Sequence, residues 1–203
     1  MTLRFLVLGD SLAFGTGASS AADTLGARLT RFLEQAGHDV RLDVVAVPGA
    51  TSLDLAPQVR RAAPLQADLA LLVIGANDLT HQVPPAQSAA ALGAALRELR
   101  AGGTEVLVLP TPDLSSVAWV PPAFRPFVAG VCDQLRSRQA AVTEAAGAVV
   151  APVAPALSAT FGADPALFST DRFHPSSAGY ALVAEALAPH LLELVARRRD
   201  DAA

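Results

Sequence analysis

The sequence predicts an α/β fold, a three-layer αβα sandwich with a five-stranded parallel sheet between its helices. Three observations carry that expectation. Five short β-prone runs alternate with stretches of helical periodicity. The third run, Leu69 to Ile74, is apolar on both faces, as a central parallel strand must be. Glycine and proline clusters separate the runs, and strand–helix–strand units in one parallel sheet cross over right-handedly, which puts helices on both faces.

Leu3 to Leu8 is the first strand and ends at Gly9-Asp10-Ser11. From Asp23, residues Leu25, Leu29, Phe32, Leu33 and Ala36 recur at helical spacing, and Gly37 stands where a C-terminal cap belongs. Leu42 to Val47 is the second strand, stopped by Pro48-Gly49. Thr51 or Ser52 caps a helix through Ala63, with Pro57 tolerable only in its first turns. After Leu69 to Ile74, Pro84-Pro85 opens a helix through Leu92, Leu96 and Leu99 that Gly102-Gly103 closes. Glu105 to Leu109 is strand four. The proline-rich loop that follows, Pro110 to Pro126, is long enough to need a reason. A helix from about Phe127 to Ala146 leads to strand five, Ala148 to Val153. The last helix starts near Ser176 and runs to Arg197, Arg198 and Arg199, which suit the negative end of its dipole. With no repeat or linker, residues 1–199 read as a single domain and 200–203 as a disordered tail.

Composition removes several classes of function. Length is 203 residues, enough to bury a core without disulfides, and 52% of residues are apolar. The longest apolar run, Leu69 to Ala76, is eight residues, so no integral membrane segment is expected. All 15 basic residues are arginines, which excludes a P-loop lysine and any Schiff-base or pyridoxal-phosphate chemistry. A net charge of −4 without a basic stripe argues against nucleic acid as a partner. The single Cys132 has no disulfide partner, and no His/Cys/carboxylate set has metal-ligand spacing, so no metal and no cofactor is expected. Met1 to Leu8 holds only Arg4 and gives way at once to the Gly9 turn, unlike a signal peptide, so a cytoplasmic location is the expectation.

In a parallel sheet, ligands bind beyond the carboxyl ends of the strands. Gly9-Asp10-Ser11-Leu12 follows strand one, Pro48-Gly49-Ala50-Thr51 strand two, and Gly75-Ala76-Asn77-Asp78 strand three, while Asp171-Arg172-Phe173-His174 lies beyond strand five. Four polar clusters thus project toward one rim. On Gly-Asp-Ser-Leu at 9–12, the lone Gly49, Gly-x-Asn-Asp at 75–78 and Asp-x-x-His at 171–174, in that order, the sequence resembles the SGNH, or GDSL-type, esterases and lipases. The resemblance spans nearly the whole chain and implies the flavodoxin-like SGNH hydrolase form of the sandwich. It implies a catalytic Ser11, His174 and Asp171, and an oxyanion hole formed by the Ser11 amide, the Gly49 amide and the Asn77 side chain.

The residues support the same chemistry on their own terms. An ester needs a nucleophile, a base and donors for the oxyanion. Ser11, on a turn after a buried strand, is a nucleophile candidate, and neutral His174 can accept its proton. Asp171, three residues earlier, can reach the far imidazole nitrogen across one tight turn and fix the tautomer. Each motif taken singly also has a bland reading: a tight turn at Gly-Asp-Ser, an Asx turn at Asn77-Asp78, a common loop pair at Pro48-Gly49. Asp10 and Asp78 read as supports for their turns, His38, His190 and His81 as solvated, and Cys132 as a buried small side chain.

Two expectations concern substrate. The 110–126 loop carries Leu114, Val117, Trp119, Val120 and Phe124. It forms either an apolar wall for an acyl chain, joined by Leu12 and Phe14, or packing on the sheet edge. Phe173 is expected to pack beneath the catalytic turn. The expected substrate is a small-molecule ester with a small to medium acyl chain, lysophospholipids and thioesters included. Carbohydrate O-deacetylation or acyl transfer by the same residues is the second reading, and a non-catalytic binding relative the third.

Overall fold

The computed structural model describes residues 2–117 and 119–201. In chain order these form β1 (Leu3–Gly9), the single turn α1 (Ser11–Phe14), α2 (Leu25–Gln35), β2 (Val40–Val44) and α3 (Leu55–Ala62). There follow β3 (Leu69–Val73), the short α4 (Ala76–Thr80), α5 (Pro85–Ala101), β4 (Glu105–Leu109) and α6 (Arg125–Ala145). The chain ends with β5 (Val149–Val150), α7 (Ala154–Ala163) and α8 (Ser177–Asp201). All strand pairs are parallel, in the order β2-β1-β3-β4-β5.

Successive side chains on a strand point to opposite faces, and here both faces are apolar. Phe5 and Val7 of β1, Leu69, Leu71 and Val73 of β3, and Leu107 and Leu109 of β4 share one core with Leu25, Leu29 and Leu33 of α2 and with Tyr180, Leu187 and Leu191 of α8. Their neighbours Leu6 and Leu8, Ala70 and Leu72, and Val106 and Val108 meet Leu55 and Val59 of α3 and Leu92 and Leu96 of α5 on the other face. Each fully buried leucine contributes about 2 kcal/mol of transfer free energy, so the doubly apolar strands commit the chain to three layers. By length and composition α8 could also cross a bilayer, yet half of that stretch is buried within this fold.

The strand order fixes where a ligand can sit. After β1 the chain moves outward to β2, and after β3 it moves the other way to β4. The loops leaving the adjacent ends of β1 and β3 therefore diverge and leave a crevice.

The structure corrects several boundaries. The second strand is Val40–Val44, not 42–47, although the Val45 and Val47 amides still donate to Val7 and Gly9 carbonyls at 3.0 Å each. The fifth strand keeps only Val149–Val150 of the expected 148–153. As an edge strand it pairs on one side alone, with β4. α1, α4 and α7 are helices where the sequence predicts no element. The last helix continues through Asp201, into the stretch expected to be a disordered tail; residues 202–203 lie outside the described residues.

Candidate active site

β1 ends at Gly9, whose φ is +129° and where a Cβ would lie 1.7 Å from the Val73 carbonyl oxygen. Only glycine lets the ends of β1 and β3 approach so closely. The buried Gln58 of α3 clamps the same residue: its Oε1 accepts from the Gly9 amide at 2.8 Å and its Nε2 donates to the Gly9 carbonyl at 2.9 Å. Asp10 then caps α1, its carboxylate accepting from the Leu12 amide at 3.0 Å. Ser11 is thereby the first residue of a helical turn, 9% exposed at the bottom of a cleft rather than standing out on an open turn. Burial pushes the Asp10 carboxyl up to about 7, against the Leu12 amide, which lowers it, and with help from the charge of Asp78.

The second half of the site is a tight turn before α8. The Ser169 amide donates to the His174 carbonyl at 2.8 Å and the Arg172 amide to the Ser169 carbonyl at 2.9 Å, with Arg172 in the left-handed region at φ +57°. Asp171 Oδ1 accepts from the Ser169 hydroxyl and from the Phe173 and His174 amides, at 2.8, 2.9 and 2.9 Å. Its Oδ2 lies 2.7 Å from His174 Nδ1, and His174 Nε2 lies 2.9 Å from Ser11 Oγ. Burial raises the Asp171 carboxyl, but the hydrogen bonds from His174, Phe173 and Ser169 outweigh it and hold the group far below the usual carboxylate range. An ionised Asp171 fixes the proton on Nδ1 and leaves Nε2 as the acceptor facing the serine.

The loops after β2 and β3 are tied together at the same rim. Val47 to Ala50 is a turn closed by the Ala50 amide on the Val47 carbonyl at 3.1 Å, with Gly49 at φ +82°, as the third position of a type II turn requires. Asn77 Nδ2 donates to the Ala50 carbonyl at 2.9 Å, which uses one of its two amide hydrogens. The buried Asp78 carboxylate accepts from the Ser52 amide at 3.0 Å and from the Ser52 and Ser88 hydroxyls at 3.2 and 2.6 Å. Among the described residues, the amides of Ser11 and Gly49 donate to no protein acceptor.

The structure separates the residues expected to bind substrate. The cleft floor holds Ser11 and His174 together with Leu12, Pro112, Leu114 and Phe173. An apolar cavity of about 90 Å³ adjoins it, with Leu12 again in its wall. Phe14 and Trp119 line neither space and are 52% and 57% exposed. Trp119 instead packs on Phe173, ring centroids 6.1 Å apart, and Phe173 stands edge-on to the His174 ring at 5.0 Å. Phe173 therefore borders the cleft as well as supporting the turn. From the 110–126 loop, Leu114, Val117 and Val120 form a small core with Cys132, whose thiol is pushed up by burial. His81 is exposed and its Nδ1 lies 2.9 Å from the Asn77 carbonyl. Among the described residues no group of three or more His, Cys, Asp or Glu could hold a metal ion.

Sequence reasoning missed Gln58, Ser88 and Gln139, and named Ser52 only as a helix cap. Gln139 donates to the Ile74 carbonyl at 2.8 Å and accepts from the Thr111 amide at 2.9 Å, bracing the ends of β3 and β4. One signal was available: Gln58 lies between Leu55 and Ala62, and Gln139 four residues from Leu135, both at core-facing spacing. A polar side chain at such a position must find buried partners.

Comparison with known proteins agrees with this architecture. The family model described as "GDSL-like Lipase/Acylhydrolase family" matches residues 7–182. A "GDSL-like esterase" of Mycobacterium tuberculosis is 36% identical over 202 residues, 98% of this chain. The chain spans 64% of that relative's length. The crystal structure of TesA is similar with a TM-score of 0.77 and 24% identity, over 94% of this chain and 99% of that one. An acetylxylan esterase from Geobacillus stearothermophilus is similar with a TM-score of 0.74 and 19% identity, over 93% and 94% of the two chains.

Proposed function

Since this chain belongs to the GDSL-like lipase/acylhydrolase family, we propose that it is a serine hydrolase that cleaves carboxylic esters of small to medium acyl chain. The observation that carries this reading is the unbroken run of hydrogen bonds from Asp171 through His174 to Ser11 at the switch point of the sheet.

Ser11 Oγ attacks the ester carbonyl carbon while His174 Nε2 takes its proton. The carbonyl π electrons move to oxygen, where the Ser11 and Gly49 amides and the second Asn77 amide hydrogen stabilise the charge. Collapse breaks the bond to the alcohol oxygen, which leaves with the proton from His174, and the acyl group stays on Ser11. Water then takes the alcohol's place. His174 removes its proton, the oxygen adds to the acyl carbon, and collapse returns the proton to Ser11 as the acid departs. Asp171 holds the Nδ1 proton throughout and stabilises each transient imidazolium. The reaction balances without a metal or redox cofactor.

Hydrolysis of a nitrophenyl ester series from acetate to palmitate, by the wild type and by Ser11→Ala, tests the reading. Activity that disappears in Ser11→Ala, with an alkyl phosphonate attached to Ser11 in the wild type, is the expected result. Folded protein that neither hydrolyses any ester nor reacts with the phosphonate would overturn it. Transfer of the acyl group to an added sugar or alcohol, in place of release as the acid, would identify a transferase at the same serine.

A further inference from the structure

We propose that the apolar cavity beside Ser11 is the acyl slot of this site, and that the Phe161–Phe168 ring pair is the stop that sets the longest chain it takes. The inference rests on the serine-ester reading above and adds the substrate's acyl half to it.

The cavity opens at the nucleophile. Six residues, Leu12, Val73, Pro112, Leu114, Phe173 and Pro175, wall both it and the cleft that holds Ser11 and His174. Farther in, its walls are Leu109 from the end of β4, Val117 from the long loop, Leu157 from α7 and Val183 from α8. Asp113 and Ser158 are its polar members, with the Asp113 amide donating to the Ser158 hydroxyl at 3.1 Å, and the other lining residues are apolar, so the lining rewards an apolar chain over a polar leaving group.

Chemistry decides which half of the ester enters. The alcohol must depart and be replaced by water between the two steps. The acyl group stays bonded to Ser11 across both, so a slot running inward from the serine fits the part that does not leave.

The far end is closed by aromatic rings. Phe161, on α7, and Phe168 meet edge to face, centroids 5.2 Å apart at 75°. Both rings line the slot, and both also line a separate surface recess formed with Pro165, Ser169, Thr170 and Arg172. The pair is therefore the partition between the two spaces. The Phe161 ring fits there because α8 carries Gly179, where a Cβ would lie 3.0 Å from Phe161 Cζ.

The test is the acyl-length profile of Phe161→Ala, Phe161→Leu and Phe161→Trp against the wild type. Phe161→Leu guards against a folding defect in the alanine variant. Each methylene newly buried raises kcat/KM about fourfold. Opening the partition by about two to three carbons therefore raises the decanoate-to-butyrate ratio of kcat/KM roughly fifteenfold to sixtyfold. Phe161→Leu lies between, and Phe161→Trp moves the optimum to shorter chains. Ser11-dependent hydrolysis with the same ratio in all four proteins would refute the stop and leave the serine reading intact. Absence of Ser11-dependent hydrolysis in the wild type would instead remove that reading. Calorimetric binding of octanoate and dodecanoate to Ser11→Ala, with and without Phe161→Ala, then decides the slot alone. A preference that moves to dodecanoate supports it, and an unchanged preference overturns it.

Discussion

Asp171→Asn removes one charge and alters one hydrogen bond in the site while preserving almost everything else. The wild-type carboxylate accepts four hydrogen bonds, three on Oδ1 and one on Oδ2. An asparagine amide oxygen can keep the three from Ser169, Phe173 and His174, so the turn should remain folded to within about 1 kcal/mol. The amide NH₂ then faces His174 Nδ1 and donates to it. The imidazole proton moves to Nε2, which now presents a hydrogen to Ser11 Oγ and can no longer accept one. The base is intact but in the wrong tautomer, a defect that costs about 10³–10⁴ in kcat, or roughly 4–5.5 kcal/mol of transition-state stabilisation. KM should move only a few-fold, because Asp171 does not line the substrate cleft. The assay is steady-state hydrolysis of the preferred nitrophenyl ester beside thermal melts of both proteins. An asparagine variant that melts like the wild type and keeps more than about a tenth of its kcat would refute the tautomer argument.

Two further outcomes are expected. Asn77→Ala removes the bond to Ala50 and the donor proposed for the oxyanion, so kcat should fall about 10²–10³-fold with KM little changed; a loss confined to KM would remove Asn77 from that role. Asp10→Asn should flatten the pH dependence of stability. The unfolded chain releases this proton near pH 4 and the folded protein near 7, so wild-type stability falls as pH rises between those values, by at most roughly 4 kcal/mol. The asparagine can still cap the Leu12 amide and has no such proton to lose. Urea midpoints across that range check this, and a pH-independent difference between the two proteins would contradict it.

The parts legible in the sequence were those with local causes. β3 is apolar at every position because it is covered on both faces, and α5 is bracketed by Pro85 at its start and Gly102 at its end. Ser11, Gly49, Asn77, Asp171 and His174 are marked by motifs that resemble a known family's rather than by local causes, and the loops after three of the strands and the turn before α8 bring them to one rim. α7 was not legible. Its segment Ala154–Ala163 has only Ser158 and Thr160 as polar residues and no polar face of the kind that marks a helix against solvent, and it lies partly buried over the cavity. β5 was overextended because Val149, Val150 and Val153 read as one β-prone run, whereas Pro152 interrupts it and β4 pairs with only Val149 and Val150. For Phe14, close to Ser11, and Trp119, within the long loop, the sequence leaves a substrate wall and packing both open, and the structure places neither in the cleft or the cavity. The direction of a side chain at a loop tip follows from contacts that sequence does not display.

Why the site holds its geometry is a question about distance along the chain. Ser11 and His174 are 163 residues apart, and a mechanism needing 2.9 Å between them needs their two loops locked together. The lock lies in α8, directly after the histidine. Tyr180, wholly buried, donates its hydroxyl to the Thr16 carbonyl at 2.7 Å, and the Ser177 hydroxyl accepts from the Ser19 amide at 2.9 Å. Both bonds join the start of α8 to the segment that follows the nucleophile turn. On the opposite side, Asp78 and Asn77 bind the loop after β2 to the loop after β3. Bringing a Ser, a His and an Asp together therefore takes more than three residues: one helix fixes Ser11 to His174, and one pair of adjacent residues fixes the loop that carries Gly49 to the loop that carries Asn77. The motif Asn77-Asp78 joins these tasks because neighbours on a helical turn point in different directions. Asn77 faces the rim while Asp78 is buried at 0% exposure, so the residue at the rim is anchored by the one beside it.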